Sequence, residues 1–262
     1  MDAPLAIRAL RAFTDNYIWC LERDGRAWVV DPGEAAPVRA HLQRAGLQLA
    51  GILVTHHHFD HVGGIGALCG EKPVPVWGPA HDAPRVPGLT DLLREGDRCA
   101  PPGLGLEFQV LEIPGHTLGH IALHAPGILF CGDTLFSAGC GRLFEGTPAQ
   151  MHTSLSQLAA LAADTQVYCG HEYTLANLAF AAAVEPDNPA IAARRAQAQQ
   201  QIEAGAPSLP ASIAQERDYN PFLRAGIATV RAAAQAHAGR VLENDVDVFA
   251  ELRRWKDGFR PS

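Results

Sequence analysis

An α/β (α+β) layered core followed by a small helical domain is the fold class this sequence predicts, and three observations predict it. Short apolar runs of strand length alternate with helical patterns up to about residue 172, the order that builds sheets covered by helices. From residue 173 onward the strand patterns give way to Ala, Gln, Glu and Arg at helical spacing, punctuated by Pro186, Pro189, Pro207, Pro210 and Pro221. With 262 residues, 47% apolar and 19% charged, the chain is long and apolar enough to bury a sizeable core. The expected division is residues 1–172 and 173–262.

The elements follow in order. Residues 16–21 and 27–31 are apolar runs separated by Arg23-Asp24-Gly25, the pattern of a β-hairpin, and Asp31-Pro32-Gly33 stops the second run. Residues 34–45 carry Val38, Leu42 and Ala45 at helical spacing, with Gly46 as the stop. A buried strand over 49–54 ends in Thr55-His56-His57-His58-Phe59-Asp60-His61, and Gly63-Gly64 opens a short helix to Leu68. Strands are expected at 74–77, 106–113, 121–125, 128–132 and 166–169, with helices over 148–162 and 190–204.

Charge and composition exclude several functions. A net charge of -7 argues against a nucleic-acid reader, which gains affinity by neutralising phosphates. Residues 1–5 lack the charged and apolar regions of a leader, and no run reaches the roughly 18 apolar residues of a membrane span. Cys20, Cys69, Cys99, Cys131, Cys140 and Cys169 form no CxxC pair and read as buried reduced thiols, which points to the cytoplasm. Cys140, between two glycines, is the one alternative nucleophile, though no base lies nearby in sequence. No heptad or exposed apolar stripe demands a partner, so a monomer is expected.

The chemistry concentrates at strand ends. His56 and His58 are two apart on a strand-like segment, so their side chains point the same way and can grip one ion. Asp60 and His61 lie beyond a turn and suit a second ion beside the first. Several imidazoles and a carboxylate crowded against a buried strand would leave polar groups unpaired at about 1–3 kcal/mol each, unless a metal satisfies them. His116, Asp133 and His171 each follow a glycine at the end of an apolar run, where the backbone can turn sharply. His41, His81, His152 and His237 stand alone and read as structural, as do His120 and His124 within a strand.

The set His56, His58, Asp60, His61, His116, Asp133 and His171 resembles the metal signature of the metallo-β-lactamase superfamily. The resemblance implies an αββα sandwich and two divalent metals, Zn foremost with Fe or Mn possible. It assigns His56, His58 and His116 to the first metal and Asp60, His61 and His171 to the second, with Asp133 bridging and His57 outside. The fold alone does not choose among lactams, phosphodiesters, thioesters and oxygen chemistry.

Further segments resemble the glyoxalase II family: Phe13-Thr14-Asp15-Asn16-Tyr17, residues 139–147, His171-Glu172-Tyr173-Thr174, Asn220-Pro221-Phe222-Leu223-Arg224 and residues 252–257. That resemblance implies hydrolysis of S-(D)-lactoylglutathione by a hydroxide held between the metals, with Asp60 and Asp133 as catalytic carboxylates. It places the glutathione thioester on Arg142, Phe144, Tyr173, Arg253 and Lys256. Many relatives carry Lys in place of Arg142, which keeps the charge, and Tyr in place of Phe144, which adds a hydroxyl. Without the resemblance Arg253, Arg254 and Lys256 read as a solvated helix face. A mononuclear-iron glutathione persulfide dioxygenase of the same fold is the alternative reading.

Overall fold

The computed structural model describes residues 4–260; Met1, Asp2 and Ala3, part of the segment read for a leader, lie outside the described residues. The chain divides into two compact units. One takes the residues up to Glu112 together with Leu118–Gly132, and the other takes Ile113–Thr117 with the residues from Asp133 onward.

In the first unit, β1 (Ala6–Ala12), β2 (Asn16–Arg23) and β3 (Arg26–Val30) form an antiparallel meander. Asp24 and Gly25 turn β2 into β3 with φ of 49° and 75°, the twist a tight hairpin needs. The sequence reading missed β1, whose apolar residues are interrupted by Arg8 and Arg11 and whose position is a sheet edge. α1 (Ala35–Ala45) buries Val38 and stops at Gly46, which is left-handed with φ 66° as the sequence predicts.

β4 (Gln48–Leu53) runs parallel to β3. A separate helical turn before Gly63, α2 (Phe59–Val62), carries Asp60 and His61, and the helix expected after Gly64 is found as α3 (Ile65–Glu71). β5 (Val76–Pro79) and β6 (Asp91–Leu93) extend the sheet in parallel, completing the order β1 to β6. Its core is aliphatic: Leu10, Ile18, Val29, Val38, Ile52, Val54, Ile65 and Val76 pack together. β7 (Arg98–Cys99), β8 (Phe108–Glu112), β9 (Ile121–Ala125) and β10 (Ile128–Gly132) line up antiparallel in a second sheet. There the Phe108 and Phe130 rings meet edge to face at 6.0 Å.

In the second unit, β11 (Leu135–Phe136) pairs with β12 (Gly139–Cys140), a hairpin too short for the sequence patterns to reveal. α4 (Pro148–Ala159) starts with Pro148 and a reciprocal Thr147–Gln150 capping box. β13 (Gln166–Cys169) leads towards α5 (Thr174–Val184) and α6 (Pro189–Glu203). β14 (Ala211–Ser212) pairs with β13 and is followed by α7 (Ile213–Tyr219), α8 (Ala228–Ala238) and α9 (Asp245–Gly258). Pro189 opens α6 and Pro221 opens a single 3-10 turn, so these prolines start helical segments and interrupt none. Phe180 gathers Phe222, Trp255 and Phe259 at ring distances of 5.9, 5.5 and 5.4 Å, an aromatic core for the tail. The α+β class expected from the sequence is the class found.

Candidate metal centre

The first group of site residues leaves the end of β4. Thr55 and His56 are fully buried, and His58 has extended backbone at the start of α2, whose first turn carries Asp60 and His61. Asp31 fixes the geometry. Its carboxylate accepts from the Thr55 amide at 2.8 Å and the Thr55 hydroxyl at 2.7 Å, and lies 3.1 Å from His61 Nδ1.

Proton bookkeeping follows from those bonds. The Thr55 hydroxyl gives its hydrogen to Asp31, so at 3.0 Å it accepts from His56 Nδ1, and the His56 Nε2 lone pair is left to face His58 Nδ1 at 3.1 Å. By the same logic His61 donates from Nδ1 to Asp31 and turns Nε2 towards Asp60 Oδ2 at 3.4 Å. His58 Nδ1 can donate into that lone pair or share a cation with it, and the spacing is near the roughly 3.3 Å edge of a tetrahedral metal site. Donor atoms of Asp31, His56 and His61 also lie within 4.8 Å of one another. A ligand imidazole held through its other nitrogen by a carboxylate or hydroxyl is the usual arrangement around a metal.

Asn16 donates to Asp60 Oδ2 at 2.9 Å, aiming that carboxylate from β2. Asp31 holds this network with φ 54°, a left-handed conformation costing on the order of 1 kcal/mol for a residue with a Cβ.

The second group brings together His116, Asp133 and His171, all buried. His116 donates from Nδ1 to the Arg142 carbonyl at 2.8 Å, which directs its Nε2 to Asp133 Oδ2 at 3.5 Å. His171 Nε2 approaches the same oxygen at 3.2 Å. One carboxylate oxygen thus faces two imidazoles, an arrangement that suits a shared cation. Gly141 is obligatory here: a Cβ on it would stand 1.9 Å from the Asp133 carbonyl oxygen.

Around this group lie the residues expected to meet glutathione. Tyr173 stacks on His171 at 4.7 Å, and Phe144, 62% exposed, meets His116 edge to face at 5.3 Å. Arg142 is exposed and its Nε lies 3.8 Å from Asp257. Lys256 donates to the Ala176 carbonyl at 3.0 Å. Burial first, then the charges of Arg253 and Arg142, hold its amine down to about 8, against the opposite pull of Cys140 and Asp257. Arg253 differs from the exposed face that its sequence context alone suggests: it is buried, with Nη1 on the Cys140 carbonyl at 2.9 Å and Nη2 on Asp257 at 2.8 Å.

Six other histidines have other occupations. His57 turns to the buried Asp82 at 2.9 Å, His120 stacks on His56 at 4.5 Å, and His41 lies 2.5 Å from Glu22. His81 lies beside Asp82, His152 against Phe249, and His237 on Trp255. All six cysteines are free thiols, and burial lifts Cys140 to about 11, which removes it as a nucleophile. Asp31 was read from the sequence only as a strand stop; the signal that finds it is an acidic residue closing the strand next to the one that ends in histidines.

The metallo-beta-lactamase superfamily model matches residues 12–171, and a model of the hydroxyacylglutathione hydrolase C-terminus matches residues 172–259. A hydroxyacylglutathione hydrolase from Alkalilimnicola ehrlichii is 56% identical over 253 residues, 96% of this chain and 98% of the relative. The chain belongs to the hydroxyacylglutathione hydrolase family of the metallo-beta-lactamase superfamily. The metallo-beta-lactamase fold extends to ETHE1 from Myxococcus xanthus, 24% identical with a TM-score of 0.65, covering 98% of this chain and 93% of that one. TTHA1623, solved in a di-iron-bound form, is 32% identical with a TM-score of 0.53, covering 60% of this chain and 87% of its own. His and Asp groups suited to a metal ion accompany this fold in the chain. Among the described residues no helix is long and apolar enough to cross a membrane.

Proposed function

We propose that the protein hydrolyses S-(D)-lactoylglutathione and related S-2-hydroxyacylglutathiones to glutathione and D-lactate, the second step of methylglyoxal detoxification. The observation that carries this reading is the near full-length match to hydroxyacylglutathione hydrolases, including a helical region matched on its own over residues 172–259. The same matches support a metallo-β-lactamase-like catalytic domain over residues 1–172 and a helical substrate-binding domain over 173–262. Six free cysteines fit a reducing cytoplasm, and the protein acts there as a monomer on a small molecule. A persulfide dioxygenase of the same fold is not favoured, because the curated full-length relatives bear the hydrolase name.

The donor set fits two divalent ions, Zn foremost with Fe or Mn as alternatives. His56, His58 and His116 would hold one, Asp60, His61 and His171 the other, and Asp133 both; the di-iron form of TTHA1623 supports a pair. Bound there, such ions lower the pKa of water and polarise a carbonyl.

The chain supplies the rest. Asp31, Thr55 and the Arg142 carbonyl keep the protons of His61, His56 and His116 on the nitrogens facing away from the ligand positions. Asp60 and Asp133 contribute the negative charge, Asp60 being aimed by Asn16. Arg142 and Lys256 offer cations to the two carboxylates of glutathione, with Tyr173 and Phe144 as flat apolar walls. Arg253 adds a buried positive charge and secures the loop that presents Arg142.

The test is to quantify metal in the purified chain and follow free thiol released from S-lactoylglutathione before and after chelation. Release that disappears on chelation and returns with metal supports the reading. Oxygen uptake with glutathione persulfide and no thiol release overturns it.

A further inference from the structure

The Asn220-Pro221-Phe222-Leu223-Arg224 segment carries family resemblance yet supplies nothing to the chemistry above, and the β11–β12 hairpin shows what it does. Two residues per strand make too small a ladder to hold a hairpin in place. Side chains from helices take over its backbone. Asn220 Nδ2 donates to the Phe136 carbonyl at 3.1 Å and the Gly139 carbonyl at 3.0 Å. Asn177 donates to the Ser137 carbonyl at 3.1 Å, and Glu216 accepts from the Ala138 amide at 2.8 Å.

Glu216 and Asn220 are fully buried, and Asn220 Nδ2 is also 3.0 Å from the Glu216 carboxylate, to which Tyr219 donates at 2.8 Å. Asn220 Oδ1 accepts from the Phe222 amide at 3.1 Å. Ala138 at the turn has φ 56°, which a residue with a Cβ holds only when its surroundings insist. Gly139 admits no side chain, since a Cβ would lie 2.4 Å from Asn177 Nδ2.

The two ends of this hairpin give it meaning. Asp133 enters it. Gly141 leaves it, donating back to the Thr134 carbonyl at 3.2 Å, and the next residue, Arg142, accepts from His116 Nδ1 while Phe144 donates its amide to the His116 carbonyl. One short segment therefore carries a carboxylate, sets the proton position of an imidazole, and presents Arg142.

We infer that Glu216 and Asn220 are positioning residues, which fix the 135–140 hairpin and thereby set both the His116–Asp133 pair and the Arg142–Phe144 loop. The part concerning Arg142 and Phe144 rests on the proposed glutathione recognition. A role in helix stability alone would lower the amount of active protein and leave KM where it was.

The experiment compares the wild-type chain with Asn220→Asp, Asn220→Ser, Glu216→Ala and Glu216→Gln. Asn220→Asp is isosteric but turns an acceptor towards two carbonyls and a carboxylate. Asn220→Ser removes the ties without adding charge, for use if the first does not fold. Glu216→Gln keeps an acceptor for the Ala138 amide. Steady-state constants are measured for S-lactoylglutathione and for the lactoyl thioester of N-acetylcysteamine, which lacks both glutathione carboxylates.

Zinc affinity of the metal-free proteins is measured by competition with a chromophoric chelator. Expected for either Asn220 variant is a KM about tenfold higher for the glutathione thioester, unchanged KM for the truncated one, and zinc affinity about tenfold weaker. Glu216→Ala, which strips the Ala138 amide of its acceptor, shifts these measures the same way, and Glu216→Gln, which restores one, moves them back towards wild type; a Glu216→Ala that changes none of them overturns the assignment of Glu216. Asn220 variants that lose thermal stability while keeping both KM values and zinc affinity overturn the inference. Failure of the wild type to release thiol from S-lactoylglutathione would reject the functional reading instead, and the zinc measurement would still decide whether Asn220 positions His116 and Asp133.

Discussion

The two groups of candidate ligands are built in opposite ways. His56, His58, Asp60 and His61 come from one stretch of chain at the end of β4, so β-strand alternation and one helical turn already aim them. Asp31, just past the end of β3, and Asn16, at the start of β2, complete the alignment. His116, Asp133 and His171 come from three separated strand ends, and a hairpin with almost no ladder lies between Asp133 and the loop that orients His116. There, alignment is delegated to side chains some 80 residues further along, Glu216 and Asn220. A contiguous group is robust because its geometry is local; a dispersed group depends on remote buried polar bonds.

The dispersed group should fail most completely in Asp133→Ala. It removes the oxygen that faces both His116 and His171, while Asp31 still holds Thr55 and His61 in the contiguous stretch. Expected is a fall in kcat for S-lactoylglutathione on the order of a thousandfold, with loss of about one of two metals. Circular dichroism should report an unchanged fold. Full turnover at stoichiometric metal would show that Asp133 bridges nothing.

The same contrast explains what could be read in the sequence. The histidine stretch was legible because spacing converts directly into direction on a strand, and Gly132-Asp133 and Gly170-His171 were legible because a glycine before an ionisable residue at a strand end is a local signal. The helical tail was legible from its periodicity and its proline punctuation. β1, β6, β7, β11, β12 and β14 were not, being edge strands or only two or three residues long, where pairing and not pattern makes the strand. Asp31, Glu216 and Asn220 were invisible as site residues because their role is a hydrogen bond across 24 to 84 residues, which no window contains. The burial of Arg253 was hidden for a related reason: a charge run does not say which guanidinium turns inward onto the Cys140 carbonyl.

The contiguous group should respond to a gentler change. Asp31→Asn keeps the shape and one acceptor but removes the charge behind His61 Nδ1, and it cannot accept from the Thr55 amide, the Thr55 hydroxyl and His61 all at once. Metal affinity should fall about 10–100-fold, the usual cost of losing a carboxylate behind a ligand imidazole. Competition with a chelator measures it. An unchanged affinity would mean that the contiguous group is aligned by backbone geometry alone.

Lys256, beside Arg142 and Arg253, should have a milder influence. Its amine titrates near 8 in the free protein because burial and the neighbouring Arg253 and Arg142 charges disfavour the ammonium, so below that pH it is a cation and above it a neutral amine. Since kcat/KM reports the free enzyme, kcat/KM for the glutathione thioester should decline as pH rises through about 8 while kcat holds. Lys256→Arg keeps its charge throughout and should abolish that decline; Lys256→Ala should raise KM about tenfold at neutral pH and also show no such limb. A limb that persists in both variants would assign the titration to another group. The carboxylates of glutathione would then be held by Arg142, with Arg253 contributing its charge from beneath the loop.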